Sequence, residues 1–347
     1  MRALTWAAGV CGLAALTAVA AFAVRGSLAA FDRPLPITRP VIYEVPVGAS
    51  LSRVAADLGR RGVLVEPQFW AWYARFRGAA AELRAGEYQL LPGLTPRGML
   101  EKFLRGEVLL HAFTIVDGWR VADLLAALRR DPNVAITLPP RPRDLMARFG
   151  SPGESPEGQF LPETYEFPRG TRDVVLLRDA HRALRRALDQ AWRSRDPALP
   201  LADERQLLIL ASIVEKESSL PEERREIAGL YLHRLSIGMR LQADPTVIYG
   251  LGDRYAGRLH ALDLRADGPY NTYTRSGLPP TPIALPGVAA IDASAHPRKT
   301  DALYFVASGR PDGSHVFSAT LAEQNAAVRR YLRRLRERQA GRSGGNR

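Results

Sequence analysis

The sequence predicts an α+β protein built from two folded modules behind an N-terminal apolar segment. After that segment, short strand-like runs are interleaved with amphipathic helices, which is typical of a small α+β unit. Further along, longer helical runs are followed by a proline-rich loop and a late hairpin, which indicates a second, mixed α/β module. The 347 residues, of which 46% are hydrophobic, are sufficient for two or three packed units.

The N-terminus carries an uncharged run over residues 3–24. As a helix this run spans about 33 Å, which matches a hydrocarbon core of about 30 Å. A cleaved signal peptide is the alternative, because small residues occur at positions 20–23, but signal-peptide cores are shorter, about 7–15 residues. We therefore expect residues 1–25 to be a single-pass transmembrane anchor in the cytoplasmic (inner) membrane. The rest of the chain is then exported to the periplasmic or extracellular side.

Composition excludes several classes of site from the exported part. Cys11 is the only cysteine and lies inside the apolar segment, so no disulfide and no thiolate site remain beyond it. The six histidines show no HExxH or similar spacing, and the sequence therefore predicts no metal and no cofactor. The formal net charge of +12 comes almost entirely from arginines, which form no recognisable nucleic-acid-binding motif. Together with the expected export, this argues against a nucleic-acid partner.

The first exported module is predicted over residues 41–110, after a proline-containing linker at residues 26–40. Ser50 and Thr95 are suited to cap two of its helices, and Pro67 is suited to the first position of another. The expected order is a strand, two helices, a strand and a helix.

Residues 45–48, 54–58, 62–63 and 85–88 of this module resemble the LysM-like subdomain of some cell-wall enzymes. That resemblance implies binding of glycans that contain N-acetylglucosamine, and a purely structural spacer is the alternative. Large aromatic rings gain most from burial, so we expect those of this module in its core. They are Trp70, Trp72 and Tyr73.

Residues 207–218, which read LLILASIVEKES, are the most informative stretch of the second module. Apolar residues recur with the spacing of one buried helix face, and continuing that spacing places Glu217 near the interior. Ser212 and Lys216 are predicted to point away. Burial disfavours the charged form of a carboxyl group and raises its pKa, which suits a general acid. Glu215 lies on the other edge of the apolar arc, so periodicity alone does not choose between the two acids.

The remaining signals of the second module, predicted over residues 111–338, order its elements along the chain. We expect a strand at 111–116, a helix at 119–130, an ordered loop at 157–170 and a helix at 173–193. Asp203 is expected to cap the Glu217 helix, and a capping box at 219–222 is expected to precede a helix to 236. After a turn at Asp244-Pro245 and a rigid loop at 270–287, we expect a hairpin of 302–306 with 315–317, a capping box at 320–323 before a helix to about 338, and a disordered tail at 339–347.

Six segments of the sequence resemble motifs of one known family. They read EGQFLPETYEF, ASIVEKES, IGMRLQADPTVIYG, YNTYTRSGLPPTPI, LYFVASG and HVFSATLAEQN, in that order. Together they resemble the endolytic murein transglycosylase family, also called MltG or YceG-like. With the anchor and the LysM-like unit, the resemblance covers nearly the whole chain. The sequence departs from the family pattern at Gln324, where the family often has a histidine before the asparagine.

The resemblance implies a catalytic residue, because the family's catalytic glutamate is the second one of its EKE motif, which is Glu217 here. It implies cleavage of the β-1,4 bond between N-acetylmuramic acid and N-acetylglucosamine within nascent peptidoglycan strands. The product would carry a 1,6-anhydro-muramyl end, and glycan elongation would be terminated. Glu215, Asp244, Asn271 and Tyr273 are hypothetical supports for substrate or transition state. Cell-wall synthases are the partners that the family implies.

Two other functions compete with this one. A non-catalytic peptidoglycan-binding scaffold of the cell-wall synthesis machinery would not need the Glu217 carboxyl group. An ordinary hydrolase would activate water with a second carboxylate across the cleft, for which Asp244 is the candidate. A transglycosylase needs one carboxyl group only, because the muramyl C6 hydroxyl attacks internally.

Overall fold

The computed structural model describes residues 26, 29, 31–79, 83–139, 144–218 and 220–344, with side chains described as far as residue 338. The chain divides into two compact units. One comprises Met1–His111 with Glu166–Gly170, and the other comprises Ala112–Tyr165 with Thr171–Arg347. The expected membrane segment, with Cys11, lies outside the described residues. Within the described ranges, no helix is long and apolar enough to cross a bilayer.

Between Val41 and Arg105, the described residues of the first unit form a two-stranded antiparallel sheet and three helices. Ser50 and Thr95 cap two of the helices by accepting hydrogen bonds from backbone N–H groups three residues ahead. Gly106 ends the last of them in a left-handed conformation with φ of 67°, which glycine adopts at little cost. The elements are β1 (Val41–Val45), α1 (Leu51–Arg60), α2 (Pro67–Phe76), β2 (Gly86–Leu90) and α3 (Pro96–Arg105), and β1 pairs with β2 from Val41 opposite Leu90 to Val45 opposite Gly86.

The core of this unit includes residues from the predicted linker. Phe31, Leu35 and Ile37 are buried among the side chains of the sheet and helices, because apolar residues alternate with the prolines of that segment. Of the aromatic residues expected in the core, Trp70 and Tyr73 are buried. The expectation for Trp72 is wrong. Its side chain is 51% exposed and stacks on Phe69 and Phe76, because it lies two residues from Trp70 and so on the other side of α2.

The second unit is mainly helical. Strand β3 pairs with β5, β4 runs parallel to β6, and β7 forms an antiparallel hairpin with β8. The boundary between the two units falls within β3 and β5. The elements are β3 (Leu110–Thr114), α4 (Val121–Arg130), β4 (Val134–Ala135), β5 (Thr164–Pro168), β6 (Thr171–Arg172), α5 (Asp173–Ser194), α6 (Glu204–Glu217), α7 (Pro221–Ser236), α8 (Asp244–Leu251), α9 (Ala261–Arg265), α10 (Val288–Ala295), β7 (Tyr304–Ala307), β8 (His315–Ser318) and α11 (Leu321–Gly344), with short 3₁₀ turns at Leu145–Phe149 and Gly252–Arg254.

Helix α6 is the centre of the second unit. Asp203 caps it by accepting a hydrogen bond from the Gln206 N–H group at 2.8 Å, as predicted. Every residue from Leu207 to Val214 is buried, because α5, α7, α8 and α10 all pack against this helix. A helix that is apolar on all sides is a core helix, and its ends are held by the elements around it.

Two local predictions for this unit were wrong. Asp244-Pro245 begins a helix rather than making a turn, because proline lacks an N–H group and therefore suits the first turn of a helix. Residues 164–168 form strand β5 instead of a loop, paired with β3. Helix α7 runs from Pro221 to Ser236 with proline in its first turn, as predicted, and Ser219, the predicted cap, lies outside the described residues. The predicted capping box at 320–323 is present, and α11 continues to Gly344, beyond its predicted end.

Candidate active site

The last three residues of α6, and Ser218 after them, are held by α7 and by the loop before α4. Glu215 is ion-paired to Arg224 of α7, and Lys216 donates to the Gly118 carbonyl oxygen at 3.2 Å. The Glu217 carboxyl group accepts a hydrogen bond from the Tyr231 hydroxyl group. Ser218, which is buried, is bonded through its hydroxyl to α7 and to the backbone that follows. The end of this helix is therefore fixed in position by contacts with α7 and with the loop before α4.

Ser212 is buried, and the prediction that it points away from the core was wrong. Its hydroxyl group donates to the Ile209 carbonyl oxygen at 2.7 Å and accepts from the Ile283 N–H group at 3.0 Å. A hydroxyl group with both partners inside the protein carries little desolvation cost. Ser212 therefore connects the proline-rich loop to α6. Lys216 is exposed, as its position on the helix predicts.

Glu217 lines a cavity of about 270 Å³. Burial raises the pKa of its carboxyl group to about 7, and the negative charge of Asp244 adds to that rise. The hydrogen bond from Tyr231 and the positive charge of Arg234 act in the opposite direction. A carboxyl group with a pKa near 7 is present in both protonation states at neutral pH, which general acid–base catalysis requires. The cavity is lined by Glu217, Tyr231, Arg234, Gln242, Asp244, Tyr273, Tyr304, Phe305 and Gln324.

Asp244 and Tyr273 lie in the same cavity and contact each other. The Tyr273 hydroxyl group donates to an Asp244 carboxylate oxygen at 2.5 Å. Desolvation, with the charge of Asp244, raises the pKa of Tyr273 above its usual range, so this hydroxyl group remains a donor. Asp244 is the first residue of α8, and Tyr273 comes from the proline-rich loop. The fold thus brings two of the predicted supporting residues into the cavity that Glu217 lines.

Glu215 does not line this cavity. Its side chain is only 4% exposed, and one carboxylate oxygen accepts from Arg224 at 2.8 Å while the other accepts from the Gly287 N–H group at 3.0 Å. Burial raises its pKa, against the effects of the Gly287 hydrogen bond and the Arg224 charge. All of these contacts hold α6 to α7 and to the start of α10. Glu215 therefore has a structural role, because both of its carboxylate oxygens are bonded within the protein.

Asn271 is also absent from the cavity lining. Its side-chain amide nitrogen lies within hydrogen-bonding distance of three backbone carbonyl oxygens, those of Asp263, Leu264 and Ala266. Its side-chain oxygen accepts from the Tyr273 N–H group at 2.9 Å. Asn271 therefore folds the loop that presents Tyr273 and is itself buried.

Several cavity residues were not predicted as site residues. Tyr231 and Arg234 are three residues apart on α7 and so face the same way, a spacing that the sequence contains. Arg234 is buried and donates to the carbonyl oxygens of Leu303 and Leu241. Gln242 has a positive φ of 50°, which is uncommon for a residue with a side chain. Gln324, at the position where the sequence departs from the family pattern, donates to the Phe305 carbonyl oxygen at 3.0 Å.

The donor set of the site does not suit a metal ion. Across the part of the chain that the structure describes, no group of three or more His, Cys, Asp or Glu side chains is placed to hold one. Two carboxylates line the cavity, but they share it with an arginine and three tyrosines. The arrangement is suited to proton transfer and to hydrogen bonding with a polar ligand.

Comparisons with known proteins assign the chain to a family. The model of the YceG-like family matches residues 43–330. An endolytic murein transglycosylase of Bacillus subtilis is 30% identical over 84% of this chain and 85% of its own length. One from Streptococcus pneumoniae is 26% identical over 80% of this chain, which corresponds to 56% of the longer relative. A crystal structure of a YceG-like protein from Listeria monocytogenes aligns with a TM-score of 0.52 at 25% identity, covering 83% of this chain and 99% of that one. The chain belongs to the YceG-like family.

Proposed function

We propose that this protein is a membrane-anchored endolytic lytic transglycosylase that acts on peptidoglycan. The substrate is the glycan strand, and the bond cleaved is the β-1,4 linkage from N-acetylmuramic acid to N-acetylglucosamine within it. One observation carries the proposal. Glu217 lies at the wall of an open cavity with its carboxyl pKa raised to about 7. The names of the Bacillus and Streptococcus relatives support the choice of reaction.

The first step uses the protonated carboxyl group. Glu217 donates its proton to the glycosidic oxygen while the bond from that oxygen to the muramyl C1 breaks. The departing strand leaves with a hydroxyl group at C4 of N-acetylglucosamine. Positive charge develops at C1 and the ring oxygen, and Asp244, which lines the same cavity as Glu217, stabilises it electrostatically.

The second step uses the ionised carboxylate. The C6 hydroxyl group of the same muramyl residue attacks C1, and its proton passes to Glu217. The new bond closes a 1,6-anhydro ring and the enzyme returns to its starting protonation state, so no water is consumed. The hydrogen bond from Tyr231 stabilises Glu217 while it is negatively charged, which lowers the free energy of the state between the two steps.

Other parts of the proposal extend beyond the cavity. Residues 1–25 anchor the protein in the inner membrane, and residues 111–338 form the catalytic domain outside it. Residues 41–110 form the LysM-like subdomain. Cleavage near the membrane then terminates the elongation of nascent strands, and cell-wall synthases are the protein's partners. These statements rest on the apolar N-terminal run and on the family resemblance.

A hydrolase is the second candidate, and the presence of Asp244 in the same cavity favours it. With a water molecule between Asp244 and the sugar, the two carboxyl groups would act as the acid and base of a glycosidase. The two reactions differ in their products, because hydrolysis leaves a reducing end and transglycosylation leaves an anhydro end.

The test is digestion of purified peptidoglycan by the full-length protein, followed by mass spectrometry of the muropeptides. We expect anhydro ends from the wild-type protein and none from Glu217→Gln, with Glu222→Gln, an exposed neighbour on α7, as the control. Reducing ends would establish the hydrolase instead. Cleavage that persists in Glu217→Gln would remove Glu217 from the mechanism, and glycan binding without any cleavage would indicate the scaffold.

A further inference from the structure

Helix α2 of the first unit presents a row of aromatic side chains to solvent. Phe69, Trp72 and Phe76 recur at intervals of three and four residues and so lie along one face of the helix. Trp72 is 51% exposed and Phe76 is 77% exposed, and Val65, just before the helix, is 80% exposed. A contiguous exposed apolar surface is typical of a site that contacts another molecule or a membrane.

The rings of this row cover one another's faces. Trp72 stacks on Phe69 with ring centroids 5.5 Å apart and planes inclined by 26°, and on Phe76 with centroids 5.7 Å apart and planes inclined by 15°. Phe69 and Phe76 lie about one helical turn before and after Trp72, so both faces of its ring are occupied. A bound sugar ring stacks on a free aromatic face, which Trp72 does not offer. The row exposes ring edges instead, and these suit insertion between lipid headgroups.

The chain connects this row to the predicted membrane anchor over a short distance. Phe31 is the sixth residue after the predicted anchor, residues 1–25. Even when fully extended, six residues span only about 20 Å. The Phe31 ring packs on α2, with its centroid 5.4 Å from that of Phe69 and 4.6 Å from that of Tyr73. An anchor that spans the membrane therefore keeps α2 within reach of the bilayer surface.

The tether enters the first unit at a defined place. Asp32, next to Phe31, pairs with Arg97 of α3 through two hydrogen bonds of 2.8 and 3.3 Å, a geometry that favours a single arrangement. The same guanidinium group donates to the Tyr73 hydroxyl group of α2 at 2.7 Å. Both helices therefore hold the segment that leads to the anchor.

The charges beside the row suit an anionic surface. Arg75 and Arg77 are exposed and flank Phe76 in the chain. Successive residues are about 100° apart around a helix, so the two arginines project to either side of the row. The helix, Pro67–Phe76, contains no acidic residue. Aromatic rings flanked by basic side chains are typical of helices that lie in the membrane interface, where the arginines remain among anionic headgroups.

We propose that the row of Phe69, Trp72 and Phe76 inserts into the headgroup layer of the anionic membrane that holds the anchor. This inference rests on the proposed function, because it requires residues 1–25 to span that membrane. The row then provides a second point of attachment and holds α2 against the bilayer. With the anchor alone, the first unit would be free to turn about its tether.

The first experiment measures the contact of Trp72 with lipid in the full-length protein. The protein is reconstituted into liposomes of phosphatidylcholine and phosphatidylglycerol, with or without lipid that is brominated near the headgroup end of its chains. Subtracting the fluorescence of Trp72→Phe isolates the Trp72 signal. We expect the brominated lipid to quench most of this signal, because bromine quenches tryptophan on contact.

The control for this experiment is Trp192 on α5, isolated in the same way with Trp192→Phe. Its ring packs against the core of the second unit and is covered by the Arg195 guanidinium group, 3.8 Å from the ring centroid. We expect the same fluorescence from Trp192 in both kinds of liposome.

The second experiment places a charge in the row. Phe76→Glu should abolish most of the quenching of Trp72, because a carboxylate is costly to desolvate and is repelled by anionic headgroups. The matched control is Leu262→Glu on α9 of the second unit, since Leu262 is also 77% exposed. We expect Trp72 to be quenched in this control as in the wild-type protein.

The outcomes distinguish this inference from the proposed function. Wild-type protein that does not float with liposomes in a density gradient refutes the anchor, and this inference with it. Protein that floats, but whose Trp72 signal is the same in both kinds of liposome, overturns this inference alone. Equal quenching of Trp72 in the wild-type protein and Phe76→Glu also overturns it. A Trp72 signal that responds to added glycan strands and not to brominated lipid overturns it too, because the row is then a sugar site.

Discussion

Glu157 is a buried glutamate and Glu217 a half-buried one of the same unit, and desolvation raises the pKa of each to about 7. Glu157 is 6% exposed, and its two carboxylate oxygens accept from the Val121 N–H group at 2.9 Å and the Tyr249 hydroxyl group at 3.2 Å. Among the described residues, Glu217 accepts a side-chain hydrogen bond from Tyr231, and it lines a cavity. The pKa does not distinguish the two residues, but their access to a ligand does.

The comparison shows that a raised carboxyl pKa is evidence of desolvation and is not by itself evidence of a catalytic role. At Glu157 the buried carboxyl group connects the start of α4 to α8, and its hydrogen-bonding capacity is used within the protein. At Glu217 the same desolvation occurs beside open space where a sugar oxygen can approach. A general acid has to reach the group that it protonates, so geometry decides between the two sites.

The largest effect that we expect is on activity, and it separates the two glutamates directly. Glu217→Gln keeps the shape of the side chain but cannot exchange a proton, so turnover should fall at least about 10³-fold. Glu157→Gln should change kcat by no more than about threefold, because its carboxyl group touches no ligand. Release of soluble muropeptides from peptidoglycan measures both. A comparable loss in the two variants would show that access is not the deciding difference.

The second effect is on stability and concerns Glu157. Its folded-state pKa is raised above the unfolded value, so the folded protein is favoured below about pH 4.5 and loses that contribution as the pH rises through about 7. The loss is on the order of 3 kcal/mol, from a shift between about 4.5 and about 7. Urea unfolding at pH 5 and pH 8 measures it. In Glu157→Gln the difference between the two pH values should be smaller by this amount, and an equal difference in both proteins would contradict the assignment.

A third, smaller effect concerns the hydrogen bond to Glu217. Tyr231→Phe removes the donor, so the ionised carboxylate is less stable and the pKa of Glu217 rises further. We expect kcat to fall about tenfold and the alkaline limb of the pH–rate profile to move to higher pH. Tyr304→Phe, in the same cavity, is the control and should leave the position of that limb unchanged. A limb that moves to lower pH in Tyr231→Phe would reverse the inferred role of the tyrosine.

The smallest effect concerns a hydrogen-bond network next to Glu217, the proposed catalytic residue. Glu223 accepts from the His315 backbone N–H group and bonds its Nδ1 atom, each at 2.7 Å, and it accepts from the Ser218 hydroxyl group at 3.3 Å. These contacts hold β8 and the residue after Glu217 to α7. Glu223→Gln should lower kcat about threefold with little change in KM, because it loosens the position of Glu217 without removing it. The exposed Glu222→Gln is the control. A loss as large as that of Glu217→Gln would give Glu223 a more direct role.

Much of the second unit could be predicted from local signals. The spacing of apolar residues located α6, and Asp203 marked its start, because a capping side chain acts on the backbone three residues away. The box at Thr320 and Glu323 located the start of α11 for the same reason. The predicted hairpin corresponds to β7 and β8. These features depend on interactions over a few residues, which a sequence displays.

Other features depended on distant contacts and were missed or misassigned. Ser212 is buried because the loop at Ile283 supplies its second hydrogen-bonding partner. Asn271 was expected in the ligand site, yet it bonds the carbonyl oxygens of the segment just before it. Tyr231 became a cavity residue only through the packing of α7 beside the end of α6. The partners of Ser212 and Tyr231 lie on other elements, 71 and 14 residues away, whereas those of Asn271 lie 5 to 8 residues before it.

The sequence by itself determined the α+β class, the position of α6 and the presence of two acids at its end. Apolar periodicity left Glu215 and Glu217 equivalent, because both lie on the border of a wide apolar arc, and the family resemblance favoured Glu217. Only the tertiary structure gave the physical reason for that choice. Arg224 and Gly287, from other segments, bond the two carboxylate oxygens of Glu215, whereas Glu217 accepts from the Tyr231 hydroxyl group and lines a cavity. The free energy of a buried charge depends on the groups around it in space, and the fold alone brings those groups together.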